Sequence, residues 1–408
     1  MTESDQIRFA QLLLAAANLQ PGQSVFVRFE PVHWPFVLVL AEEAYRQGAR
    51  YVESVAEHGG MMKARVDHSQ EEYLSSVPGY RAATNQRFID ENWARIVISG
   101  SEDPDLLASL DSKRVGVVRK AFAKVDLPLR QAVQSDRIRW VVTALPTPQW
   151  AAKVFDSTPD EEAVTKLWEV LKPIMRLDRD DPIREWRNHS DRMDARLATL
   201  SKLKLDSLHF SGPGTDLTVG LPAGAVWLGG GSTCQDGLWF LPNLPTEEVF
   251  TTPDFRRTTG TVALTRPALI GGVPVVGASF EFTDGRVTAW DATSGREALD
   301  EFFDIDPGAR FLGEVALVDG ESPIYRSGLV FHNTLLDENA ASHIAFGSAY
   351  PGGVPGGDEM DEDELSAAGA NSSLVHSDVM IGGPDVDVAG ITADGRSVTL
   401  LGGGNWTV

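Results

Sequence analysis

The 408-residue sequence has one cysteine, Cys234, which excludes an internal disulfide framework and any zinc cluster built on thiolates. It has little uninterrupted apolar sequence. The stretch Pro267–Phe280 is broken by glycine and proline and falls short of the ~20 residues that cross a bilayer, so no membrane span is expected. Positive charge is scarce: 36 Lys and Arg against 58 Asp and Glu leave a formal charge of −22. Phosphate backbones are held by basic patches, so nucleic acid is not an expected partner. The first residues carry Glu3 and Asp5 where an export signal places positive charge, and the cytoplasm is the expected compartment. Neither GxGxxG nor GxxxxGK spacing surrounds Gly22 or Gly48, so no dinucleotide fingerprint or phosphate loop is present. The acidity itself reads mainly as solubility or adaptation to a salty cytoplasm, with carboxylates gathered around a cation as a partial contribution.

What is present divides the chain by texture. A single core seldom grows beyond ~250–300 residues, so two domains are expected. Ser24–Phe29, Tyr51–Val55, Ala94–Ser99 and Arg139–Thr143 are β-branched runs separated by helical patterns such as Phe36–Gln47. Strands alternating with helices imply βαβ units and a parallel sheet, hence an α/β N-terminal domain over 1–182. The charged, proline-terminated stretch Asp178–Pro182 marks the expected boundary, and Ile183–Leu203 follows as a helix. From His209 onward short alternating runs rich in Gly, Thr and Val predict a β-rich, α+β C-terminal domain over 183–408. Thr261–Leu264, Ala278–Phe282, Val287–Trp290 and Ser397–Leu401 are its strands, and Ser294–Phe303 is one of its few helices. The segment Gly352–Glu364 (GGVPGGDEMDEDE) reads as a solvated, mobile surface loop, with an active-site gate as the lesser alternative.

Chemistry concentrates in the C-terminal half. A single histidine is ordinarily structural or exposed, so none of the eight counts alone; what matters is company. In HSD, His376 and Asp378 alternate in strand register and project from one face, half of a metal site. In LDENAASHIA, His343 follows Glu338 by five residues on an expected helix. Glu314 interrupts the apolar run Ala309–Val318, and Glu248 is flanked by Val249 and Phe250. Burying a bare carboxylate costs several kcal/mol unless a cation or proton compensates it. A buried ion pair, to Arg310 for instance, would account for either glutamate alone. Together with His343, His376 and Asp378 they form the N/O donor set that a co-catalytic pair of divalent ions requires.

Five stretches then carry a resemblance: GPGTDLTVGLP (212–222), NLPTEEVFTTPD (243–254), ARFLGEVALVD (309–319), FHNTLLDENAASHIAFGSAY (331–350) and HSDVMIGGPDVDVAGITADG (376–395). They resemble the M29 family of metallo-aminopeptidases, and ALPTPQWAAKVF (144–155) extends the likeness into the N-terminal half. The resemblance implies metal ligands at Glu248, Glu314, His343, His376 and Asp378, with Glu248 favoured over Glu247 by its spacing to Glu314. It places Glu338 in or beside the site as ligand or general base, and Tyr350 close to the metals. Glu247 is the second candidate base. Two divalent ions per chain (Zn, Co, Mn or Mg), short peptides with a free N-terminus and a homodimer with an enclosed site are implied in the same way. The alternative reading is a metal-dependent amidase or deacylase acting on a non-peptide substrate.

Overall fold

The expected βαβ units close into one parallel sheet. A computed structural model describes the backbone of residues 1–408 and every side chain except those of Leu107 and Ala108. The strands run in the order Asn243–Leu244, Trp140–Ala144, Ala94–Ser99, Ser24–Phe29, Tyr51–Ala56, and each neighbouring pair is parallel. Alternation decides which side chains enter the core: Val25, Val27, Ile96 and Ile98 point to one face and are buried with helices Glu3–Ala16 and Trp34–Arg46. Helix Glu3–Ala16 begins where the Thr2 hydroxyl accepts from the Asp5 N–H and the Asp5 carboxylate accepts from the Thr2 N–H, a reciprocal cap.

The chain forms two compact units, Met1–Asp191 with Gly230–Thr246, and Arg192–Gly229 with Glu247–Val408. The units interleave along the sequence, where composition suggests a single change at Pro182. Helix Pro182–Leu203 begins at that position, and the boundary falls inside it, between Asp191 and Arg192. Residues 243–244 add the edge strand of the parallel sheet, and the Thr143 hydroxyl donates to the Leu244 carbonyl at 2.9 Å.

The second unit is β-rich, as its alternating runs require. An eight-stranded sheet has the order Arg286–Asp291, Ser279–Thr283, Thr258–Ala263, Thr215–Gly220, Leu205–Gly212, Asp387–Thr392, Ser397–Gly402, Asn405–Trp406. A five-stranded antiparallel sheet has the order His376–Met380, His343–Gly347, Leu312–Val318, Glu248–Thr251, Leu228–Gly229. Val249, Val315, Leu317, Ile344, Phe346 and Val379 lie on one face of the smaller sheet. They share a core with Val262, Phe280 and Phe282 of the larger sheet and with Phe302 and Phe303 of helix Arg296–Phe303. Each such side chain contributes roughly 1.5–3 kcal/mol by leaving water.

Two expectations need correction. His343 begins a strand, not a helical turn: the short helix Thr334–Glu338 ends five residues earlier, and His343 pairs with Ala316 and Met380. Helix propensity in an alanine-containing segment yields here to two ladders of strand pairing. The Gly352–Glu364 segment is also not loop throughout. It contains short turns at Pro351–Gly353 and Gly357–Glu359 and leads into helix Glu362–Ala368, capped reciprocally by Asp361 and Glu364. Val354, 3% exposed, anchors it beside Ala349 and Ala370.

Phe346 lies at the centre of the second unit's aromatic core, 4.9 Å from the Phe280 ring and 5.2 Å from that of Phe303. Phe346→Ala is expected to lower unfolding stability by about 3–5 kcal/mol, the usual cost of such a cavity. Chemical denaturation checks this; a loss under ~1 kcal/mol would show that the neighbouring rings collapse into the space.

Candidate metal centre

The opposite face of the five-stranded sheet is not apolar. Because alternate residues share a face, Glu248, Glu314, His343, His376 and Asp378 all project to the side away from Val249, Val315, Ile344 and Val379. Register makes Ala345 the residue between Glu314 and Asp378, pairs Ala316 with His343, and sets Gly347 opposite His376. These small neighbours leave room for the long side chains to converge. Gly313 permits the approach on the Glu314 strand. The ladder shifts register between Leu312 and Glu314, and a Cβ at Gly313 would lie 2.4 Å from the Ser348 carbonyl oxygen and 2.5 Å from that of Gly347.

Convergence is close. His343 Nε2 lies 3.1 Å from Glu248 Oε2, 3.5 Å from Glu314 Oε1 and 4.0 Å from Asp378 Oδ1. His376 Nε2 lies 3.4 Å from Glu314 Oε2 and 3.5 Å from Asp378 Oδ1. Two donor groups result, Glu248 with Glu314 and His343, and Glu314 with His376 and Asp378; within each, the ligand atoms lie inside 4.8 Å of one another. Glu314 belongs to both, one oxygen toward each histidine.

The contacts are not ordinary ion pairs. His343 Nδ1 faces the Ala341 carbonyl at 3.1 Å and His376 Nδ1 faces that of Ser348 at 2.7 Å, so each ring donates from Nδ1 and turns Nε2 to the carboxylates. That is how a ligating imidazole is held. Glu248 Oε2, fully shielded from solvent, has no hydrogen-bond partner, although His343 Nε2 lies 3.1 Å from it. An orphaned buried carboxylate oxygen and imidazole nitrogens aimed at shared carboxylates fit a divalent cation.

Electrostatics agree. Burial alone would depress both imidazoles, but Glu248 and Glu314 hold His343 well above its usual range, and Asp378 and Glu314 do the same to His376. Burial pushes Asp378 up, yet the two histidines bring it below the ordinary carboxylate value. Glu248 is raised by burial, only partly offset by His343. Glu338 is raised well above its usual value by burial and then by Asp378 and Glu248. Burial, with Glu314 and Asp378 nearby, likewise holds the Tyr350 phenol protonated. A surplus of carboxylate charge draws protons into this pocket, and a cation would satisfy the same demand.

The remaining candidates sit around the cluster in different ways. Glu338, half-buried, acts electrostatically on every carboxylate of the cluster but belongs to neither donor group. The Tyr350 ring meets His376 edge-on at 5.3 Å and packs on Phe250, also at 5.3 Å. Glu247 is buried and stands outside both groups; its N–H donates to Asn339 Oδ1 at 2.6 Å. Asn339 escaped the reading of the sequence. Fully buried, it receives that bond, donates to the Leu335 carbonyl at 2.9 Å and approaches Glu338 Oε1 at 3.4 Å, tying the two glutamate segments together. Its one signal was its place beside Glu338 in DENAASH, since a neutral amide carries no mark of its own.

Comparison with known proteins agrees with this geometry. Residues 2–406 match the family model described as thermophilic metalloprotease (M29). The chain is similar to aminopeptidase 2 of Geobacillus stearothermophilus, 40% identical over 99% of this chain and 98% of the relative. It is similar to aminopeptidase T of Thermus thermophilus, 40% identical over 96% of this chain and 95% of that one. Its fold superposes on the wild-type AmpT structure from Thermus thermophilus with a TM-score of 0.90, at 38% identity and with all of both chains covered.

If the cluster holds divalent metal, His376→Ala and Asp378→Ala each lose bound metal and activity while circular dichroism stays unchanged, because neither side chain belongs to the apolar core. A variant that keeps full metal content and near-normal kcat removes its residue from the site.

Proposed function

The chain belongs to the thermophilic metalloprotease (M29) family and is a metal-dependent aminopeptidase, and from that premise we propose that it releases N-terminal residues from short peptides at two divalent ions. Glu248, Glu314 and His343 would hold one ion, and Glu314, His376 and Asp378 the other. The observation that carries the reading is the double use of Glu314, whose two oxygens face different histidines at 3.5 and 3.4 Å. Charge supports the number: Glu248, Glu314, Asp378 and Glu338 bring four negative charges when ionised, which two divalent ions match with both imidazoles neutral.

When bound, such a pair supplies an acidified water as nucleophile and polarises the scissile carbonyl. The protein's own groups do the rest. Glu338, beside the cluster but in neither donor group, takes the proton of the attacking water and passes it to the leaving amine. Asn339 positions it through the contact at 3.4 Å. The protonated Tyr350 hydroxyl donates to the developing oxyanion. A carboxylate not occupied by metal recognises the free ammonium of the substrate, which restricts release to N-terminal residues. Zinc, cobalt, manganese and magnesium all suit the oxygen and nitrogen donors. On the family resemblance the protein works in the cytoplasm as a homodimer, for which the solution mass against 44.3 kDa per chain is the check.

The testing experiment removes metal with EDTA and restores each ion singly. Dipeptides and Leu-p-nitroanilide regain turnover, whereas their N-acetylated forms stay intact; cleavage of the blocked forms alone would make the protein an amidase or deacylase. Glu338→Gln is expected to keep its metal yet lose kcat by roughly 10²–10⁴, the worth of a positioned acid–base group. Loss of metal in that variant makes Glu338 a ligand. Normal metal and normal kcat transfer the role to another carboxylate, Glu247 first.

A further inference from the structure

The first unit has a cleft of its own, about 750 Å³, lined by one face of the parallel sheet and by helices Gly79–Asp90 and Ser112–Gln134. In register, Phe26 pairs with Arg95 on one neighbouring strand and with Glu53 on the other, so the three side chains form a row across one sheet face. Phe88 stacks on Phe26 at 4.5 Å and 28°, and Trp93 packs on Phe88 at 5.0 Å, giving the cleft a continuous aromatic wall.

Arg95 is the anomaly. Its neighbours in the cleft have partners: Arg81 binds Asp126 through Nε and Nη2 at 2.8 and 2.7 Å, and Arg28 lies 3.7 Å from Glu57. Among the described residues no hydrogen bond or ion pair reaches the Arg95 guanidinium, and its Nε is fully shielded from solvent. Burial pushes its pKa down to about 9, with Arg28 adding repulsion, and the more distant charges of Glu57 and Asp126 offset only part of this because neither makes a direct contact with it.

We propose that this cleft binds a small carboxylate with a flat apolar body, the carboxylate on Arg95 and the body against Phe26, Phe88 and Trp93. The guanidinium fork matches a carboxylate with two parallel hydrogen bonds. The aromatic wall supplies the largely apolar lining that small-molecule sites have. Glu53, across Phe26 from Arg95, disfavours a second anionic end, and Glu57 and Asp126 disfavour the double charge of phosphate. The cleft shares no residue with the two donor groups.

The test is calorimetric titration of the full-length protein with N-acetyl-L-phenylalanine, beside its carboxamide and inorganic phosphate. Saturable binding of the carboxylate is expected, with the carboxamide and Arg95→Met each weakening affinity about 10- to 100-fold, the worth of a charge-assisted pair. Arg95→Met should melt no lower than the native protein and hydrolyse dipeptides at an unchanged rate. Should it misfold, Arg95→Lys serves instead: it keeps the charge, loses the fork and is expected to bind at least fivefold more weakly. No saturable heat, undiminished affinity in the folded variant, or phosphate binding as tightly as the carboxylate overturns the proposal.

Discussion

Glu248, Glu314 and Asp378 stand with two imidazoles on one face of one sheet, none of the three carboxylates more than 9% exposed. Each buried ion costs several kcal/mol if left uncompensated, and a whole domain is stable by only about 5–15 kcal/mol. The small sheet tolerates this because its other face is as apolar as this one is charged, with Val315, Leu317, Ile344 and Phe346 in the unit's main core. Period-two alternation therefore does two jobs at once: it seals one side against water and gathers the candidate donor groups on the other. The charge that remains is one that a bound cation would neutralise.

This arrangement also explains the surrounding scaffold. The Ala341 and Ser348 carbonyls and the Tyr350 ring hold the two imidazoles of the cluster from outside it, and Asn339 ties together the Glu247 and Glu338 segments beside it. Both carbonyls fix the imidazoles with Nε2 inward, so the donor atoms are oriented before any ligand arrives. Preorganisation of this kind is what lets a site bind metal strongly and keep its geometry through turnover.

Much of this was legible in the sequence, and the limits are physical. The parallel sheet followed from apolar runs alternating with helices. His376 and Asp378 followed from strand parity, and Glu314 from a carboxylate in an apolar run. All three signals are local. A helix at His343 is locally plausible in DENAASH, while its conformation is set by pairing with strands that begin 31 residues before it and 33 after it in sequence. Residues 230–246 join the first unit for a similar reason: an edge-strand pairing over a hundred residues away leaves no local trace. Asn339 was silent because its role lies wholly in tertiary hydrogen bonds. The Glu53–Phe26–Arg95 row was equally hidden, since parallel register across three strands cannot be read from any one of them.

The central claim is that Glu314 bridges two cations, and anomalous diffraction from crystals loaded with zinc or cobalt tests it most directly. The account predicts two peaks about 3.5–4 Å apart, each about 2.0–2.2 Å from a different Glu314 oxygen. One peak alone, or two peaks both beyond ~3 Å from Glu314, would contradict it.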